Sequence, residues 1–266
     1  MTGFGQLSRS THIIHPTQAS GDLRDMLNAS LRTTPDASLD SIDPALIRRP
    51  RAILVSLVLD DSGSMKHFID AENIQRDGQK TVIRCCNGML NQMVAQDNPR
   101  LAIILGVWGF KGMIQNYQFP KQVAPFDESR YIPDTGTPLF DTMGDCMTFS
   151  GQKRLEIQTR GIPCAEAFLF LSDGQERDSS RFEGEQVRSM IAQKLTVRGN
   201  LVFGIGLGPA GCQQLRAIGI PQPMIRDVSK SFSLDQIFRE FTTMTTQSGG
   251  GVSLRGFSGG MTTDDD

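Results

Sequence analysis

The sequence predicts an α/β protein: a doubly wound, mostly parallel sheet with one antiparallel edge strand and helices on both faces. Three observations lead there. The runs AILVSLVLD, LAIILGVWGF, AEAFLFLSD and NLVFGIGLG are unbroken and apolar, as strands covered on both faces should be. Amphipathic helical stretches separate most of them, and strand–helix alternation builds a parallel sheet. The link Lys111-Gly112, between LAIILGVWGF and MIQNYQF, is short enough only for an antiparallel hairpin.

In chain order, residues 1–50 form an arm rich in Ser, Thr, Asp and Pro. Leu23, Met26, Leu27 and Leu31 share one helical face there, expected to pack on the flank of the main domain or to dock another protein. His12 and His15 have i, i+3 spacing, but no third metal ligand is near. Arg48, Arg49 and Arg51 are expected to form a solvated entrance to the first strand. After that strand, which starts at Ala52, residues 66–76 make an irregular excursion. A helix follows with Val82, Cys86, Met89, Leu90, Met93 and Val94 on one stripe, stopped by Asn98-Pro99. Beyond the hairpin a helix opens at Thr137-Pro138, with proline at the first helical position, where its missing N–H costs nothing. The next helix should turn Val187, Met190, Ile191 and Leu195 inward and end at Gly199. The last carries Leu234, Ile237, Phe238, Phe241 and Met244 behind a Ser233-x-x-Gln236 capping box. The expected division is an arm over 1–50, a domain over 51–247, and a flexible Gly/Ser-rich acidic tail over 248–266.

Composition narrows the function. A chain of 266 residues suits one large domain with appendages, and 38% hydrophobic with 21% charged residues fits a folded protein. A net charge of −2 supplies no basic field for nucleic acid or an anionic membrane. No stretch has the ~18–20 apolar residues of a membrane span. MTGFGQLSRS contains no apolar leader core, so a cytoplasmic location is expected. The five cysteines are an odd number without C-x-x-C spacing, and are expected to be reduced, mostly buried thiols.

Ligands of open α/β sheets bind beyond the carboxyl ends of the strands, so the residues that follow each strand carry the chemistry. These are Asp60-Asp61-Ser62-Gly63-Ser64, Thr135-Gly136-Thr137-Pro138-Leu139 and Ser172-Asp173-Gly174. Carboxylates and hydroxyls converging from three segments make an oxygen-ligand site for a hard cation. Asp61 is expected to alternate outward from Asp60, to solvent or a helix end.

This constellation resembles the von Willebrand factor A (vWA) domain and its metal-ion-dependent adhesion site, D-x-S-x-S … T … D, over residues 52–247. The matching positions are Asp60, Ser62, Ser64, Thr137 and Asp173. The excursion after Ser64 is longer than the pattern leads one to expect. The resemblance implies that Ser62 and Ser64 coordinate Mg²⁺ or Mn²⁺ directly and Thr137 directly or through water. Asp60 and Asp173 would act mainly through bound waters and hydrogen bonds to the hydroxyls. Neutral hydroxyls leave the ion's charge poorly neutralised, so its open position attracts an anionic oxygen, most simply Asp or Glu of a partner protein. Among vWA proteins the chain looks most like intracellular bacterial tellurite-resistance and stress-operon members. That likeness implies partners such as an AAA+ ATPase, a kinase or a phosphatase.

Other readings compete with this one. The first alternative is a structural subunit whose arm and tail make the contacts. The second is Mg²⁺-dependent phosphoryl transfer, since DDSGS superficially resembles the D-x-D-x-T of haloacid dehalogenase-type enzymes. There, however, Ser62 stands where the acid that protonates the leaving group belongs, so no catalytic residue is assigned. His67 lies near the site without an evident orienting partner and is expected to be idle. Gly206-Leu207-Gly208-Pro209-Ala210-Gly211 satisfies G-x-G-x-x-G, but on a late strand and with Pro209 removing an N–H; a tight turn is expected instead. Trp108, the lone tryptophan, is expected to be structural.

Overall fold

The computed structural model describes residues 46–249, apart from 71, 73, 97, 135, 175 and 230–232. The expected amphipathic face at Leu23–Leu31, the pair His12/His15 and the tail beyond 249 lie outside the described residues. In chain order the elements are β1 (Ala52–Leu59), β2 (His67–Ile69), β3 (Gln75–Asp77), α1 (Gly78–Ala95), β4 (Ala102–Gly109) and β5 (Gly112–Gln118). Then come α2 (Leu139–Thr159), β6 (Cys164–Ser172), α3 (Gly184–Thr196), β7 (Leu201–Gly206), α4 (Pro209–Ala217), β8 (Ile225–Asp227) and α5 (Leu234–Gly249).

Six strands form one sheet in the order β5-β4-β1-β6-β7-β8, and β2 pairs with β3 in a separate two-stranded hairpin. Only β5 runs antiparallel in the large sheet, on its edge beside β4. From β1 the chain winds first to β4 and later, in the opposite direction, to β6, so the switch point lies between β1 and β6. β1 is buried along its whole length. Its alternate side chains divide between two layers. Ile53, Val55, Leu57 and Leu59 join α1 and α5 through Met89, Met93, Ile237 and Phe241. On the opposite face, Val58 joins Phe168 and Phe170 of β6 with Met143 of α2, Ile191 of α3 and Leu215 of α4.

Several sequence expectations shift at this level. α2 begins at Leu139 with Pro138 as its N-cap, and the Pro138 carbonyl accepts from Thr142 N–H at 3.1 Å. Proline therefore stands one position earlier than expected. In α3, Val187 and Ile191 are buried, whereas Leu195 is 38% exposed. The capping box of α5 is present: Ser233 N–H donates to Gln236 Oε1 at 3.0 Å and Gln236 N–H to Ser233 Oγ at 3.3 Å. β8 is a further strand of only three residues. Arg49 is half-buried and donates to the carbonyls of Asn98 (2.5 Å) and Leu101 (2.8 Å), tying the start of β1 to the loop before β4. All five cysteines are free and buried. No helix among the described residues is long and apolar enough to cross a membrane.

Candidate metal site

Asp60 follows directly on β1 and its N–H extends the ladder, donating to Leu171 of β6 at 3.1 Å. The residue is fully buried, and Tyr131 donates its hydroxyl to the Asp60 carbonyl. With its backbone held on both sides, the carboxyl is presented at the switch point. Its Oδ1 accepts from Ser62 N–H at 3.0 Å and from Ser62 Oγ at 2.5 Å. The Ser62 hydroxyl meets Ser64 Oγ at 2.8 Å, and Ser64 Oγ donates to Asp173 Oδ2. Asp173 N–H closes the ring on Asp60 Oδ2 at 3.2 Å. The structure thus brings Asp60, Ser62, Ser64 and Asp173 into one circuit of close oxygen contacts spanning β1 and β6.

Thr137 comes from a third segment and is bonded through its main chain to the loop after β6 rather than to the circuit. Its N–H donates to Asp178 Oδ2 at 2.6 Å, and its carbonyl accepts from Arg177 N–H at 3.3 Å. Thr137 is buried, Asp173 half-buried and Ser64 exposed, so the circuit opens to solvent on the Ser64 side.

Burial pushes the Asp60 carboxyl up from 3.8 to about 6, and the nearby Asp173 charge adds to the rise, against the Ser62 hydrogen bonds that lower it. Among the described residues, the hydrogen bonds to the Asp60 carboxyl come from neutral donors, Ser62 and the Asp173 amide. Among the described residues no group of three or more His, Cys, Asp or Glu side chains could hold a metal. A cation in the circuit would therefore meet the hydroxyl oxygens of Ser62 and Ser64 beside the two carboxylates. That donor set is hard, oxygen throughout.

The surroundings explain several neighbouring motifs. Asp61 is not turned to solvent as expected: it is 4% exposed, and its Oδ1 accepts from Phe110 N–H at 2.8 Å. β1 and β4 end side by side, and a Cβ on Gly109 would come within 2.7 Å of Asp61 Oδ2, so only glycine leaves room for the acid. The G-x-G-x-x-G stretch is a packing device. A Cβ on Gly211 would stand 2.4 Å from the Ser172 carbonyl oxygen, and one on Gly174 (φ +92°) 2.4 Å from the Ala210 carbonyl carbon. The first turn of α4 is thereby pressed against the segment that presents Asp173. His67 begins β2, is exposed, and lies opposite Asp77. Trp108 is 4% exposed and packs edge-on against Phe149, with ring centroids 5.7 Å apart.

The excursion after Ser64 is the β2–β3 hairpin. Its base closes where Gly78, the first residue of α1, meets the Met65 carbonyl; a Cβ on Gly78 would lie 1.7 Å from that oxygen. The sequence reading missed the acids that hold α2 against the loop after β6. Glu176 accepts from Phe140 N–H at 2.9 Å, while Asp141 accepts from Arg181 N–H at 2.9 Å and Phe182 N–H at 2.8 Å. In sequence, Glu176 and Asp178 read as an ordinary polar loop, and no spacing signal sets them apart.

No protein-family model matches the chain, and no curated protein sequence matches it. Solved structures do. The PilB minor pilin from Streptococcus sanguinis aligns over 78% of this chain with 14% identity and a TM-score of 0.51, and the chain spans 63% of that pilin. The vWF domain of the type V pili tip protein Mfa5 from Porphyromonas gingivalis aligns over 77% of this chain and 97% of its own length, at 12% identity and a TM-score of 0.45. Proximal thread matrix protein 1 from the mussel byssus, in a structure described as having a zinc-occupied MIDAS motif, aligns over 75% of this chain and 47% of its own, at 12% identity and a TM-score of 0.41. At these identities the likeness is one of fold, and it rests on the minor pilin. The chain is a mixed α/β protein with a mostly parallel six-stranded sheet, one antiparallel edge strand, and the three segments of its candidate site at the carboxyl edge.

Proposed function

We propose that the chain is a vWA-type interaction module that holds Mg²⁺ or Mn²⁺ through Asp60, Ser62, Ser64, Thr137 and Asp173 and captures a carboxylate of a partner protein. The observation that carries this reading is the oxygen circuit Asp60–Ser62–Ser64–Asp173 across the switch point. It is buried at Asp60 and exposed at Ser64. A divalent cation would offset the charge of the two carboxylates. Because half of the circuit is neutral hydroxyl, that ion would keep charge to offer an acidic side chain. A cytoplasmic stress-response setting, with an AAA+ ATPase, kinase or phosphatase as partner, belongs to the same proposal.

The test is a calorimetric titration with MnCl₂ and with MgCl₂, wild type beside Ser62→Ala/Asp173→Ala. The wild type should bind one ion and the double variant none. A double variant that binds as well as the wild type removes the reading.

The second reading, a structural subunit of an assembly, draws on the fold shared with a minor pilin. It expects assembly to survive EDTA and to depend on residues 1–50 and 248–266. Under the metal reading, EDTA abolishes partner capture while the truncations spare it.

A further inference from the structure

Thr137 differs from the other four site residues in how it is placed. Asp60 and Asp173 sit directly on strand ends, and Ser62 and Ser64 are joined to them by side-chain hydrogen bonds. Thr137 precedes α2, and its amide and carbonyl are held by Asp178 Oδ2 (2.6 Å) and Arg177 N–H (3.3 Å). Both partners lie in the segment after β6 that also presents Asp173. A second observation marks the contact as fitted. A Cβ on Gly136 would fall 2.5 Å from Asp178 Oδ2. Glycine there serves to admit the carboxylate.

We infer that Asp178 is a positioning residue of the metal site: its carboxylate fixes the Thr137 main chain so that the hydroxyl faces the ion held by the Asp173 segment. The inference rests on the metal reading above. Asp178 does not touch the ion; it makes Thr137 and Asp173 move as one unit. Partners behind the ligands of this kind typically contribute about 10–100-fold to metal affinity.

The experiment is Mn²⁺ calorimetry on the full chain carrying Asp178→Ala, Asp178→Asn, Gly136→Ala, Thr137→Ala and the Asp178→Ala/Thr137→Ala pair, with each variant's fold checked by circular dichroism. Asp178→Ala should weaken Mn²⁺ about tenfold. Asp178→Asn should stay within about twofold of wild type, because an amide oxygen accepts the same N–H bond without the charge. Gly136→Ala should match Asp178→Ala, since it displaces the carboxylate while keeping it; the clash is with the end of a side chain, so the fold should survive. In the Thr137→Ala background, Asp178→Ala should cost nothing further. Equal losses for Asp178→Asn and Asp178→Ala, or a full additional loss in the Thr137→Ala background, would overturn the positioning role. Wild type that binds while Asp178→Ala binds equally well overturns it too, and leaves the metal reading standing. Wild type that binds no Mn²⁺ overturns both.

Discussion

Asp60 is the point at which pH reaches the site. Its carboxyl ionises near 3.8 when exposed and near 6 in the metal-free fold. The fold therefore favours the protonated form, and that preference stabilises the native state fully below about pH 3.8 and is lost as pH rises through 6. The whole interval corresponds to a stability change on the order of 3 kcal/mol. Under the proposed metal reading, a bound divalent ion would reverse the preference, because the site must lose its proton to receive the metal. Mn²⁺ affinity should be flat above about pH 7 and fall about tenfold per unit below pH 6. Titrations at pH 7.5, 6.0 and 5.0 measure this, and an affinity unchanged between 7.5 and 5.0 would show that Asp60 does not gate the ion. Asp60 was legible in the sequence because it ends an apolar run and opens D-x-S-x-S. Asp61 was not: two-residue alternation sends it outward, but β4 ends beside β1 and offers the Phe110 amide. Contacts between strands distant in sequence leave no trace in local periodicity.

At the scale of elements, the long apolar strands were readable because burial on both faces forces a composition on them. The hairpin β2–β3 and strand β8 were not. Each strand has three residues, and Arg226-Asp227 or Gln75-Arg76-Asp77 carries no apolar signature. They exist because a neighbour supplies the pairing: β7 for β8, and the Met65–Gly78 closure for the hairpin. That closure predicts the effect of Gly78→Ala. Its Cβ would meet a main-chain oxygen, so the backbone after Ser64 must shift. The expected cost is about 1–3 kcal/mol, seen as a lower urea midpoint, together with weaker Mn²⁺ binding. A variant with both values unchanged would show that the hairpin base is loosely held. At the other end of β6, Glu166 is fully buried and accepts from Lys194 Nζ of α3 at 2.6 Å and Arg154 Nη1 of α2 at 3.4 Å. Glu166→Ala removes the buried acceptor that Lys194 and Arg154 share and should cost about 3 kcal/mol, read as a lower urea midpoint.

Across the described residues the buried ion cluster and the candidate site lie at opposite ends of β6. The Glu166 cluster lies where β6 begins, and the candidate site lies where β6 and β1 end, with the packed layers between them. The fold class was legible because strand composition and the one short hairpin link fix a doubly wound sheet. The candidate motif was legible as far as strand ends determine it. Thr137 was readable as a motif position, but its main-chain bond to Asp178 was not, because it joins segments distant in sequence. The separation makes a prediction that neither end makes alone. An ion that binds only the native state raises stability by about 2.7 kcal/mol at one hundred times its dissociation constant. For a domain of this size that corresponds to roughly 5–10 °C in the unfolding midpoint. Wild type should show that rise in Mg²⁺ and lose it in EDTA. Ser62→Ala/Asp173→Ala should show no rise and should unfold cooperatively. Glu166→Ala should start from a lower midpoint and still gain the same increment, because the metal does not sense a cluster at the far edge of the sheet. Thermal scans of the three proteins, with Mg²⁺ and with EDTA, decide it: a Glu166→Ala increment clearly smaller than the wild type's would mean that the packed sheet couples the two ends and that the metal acts on the fold as a whole.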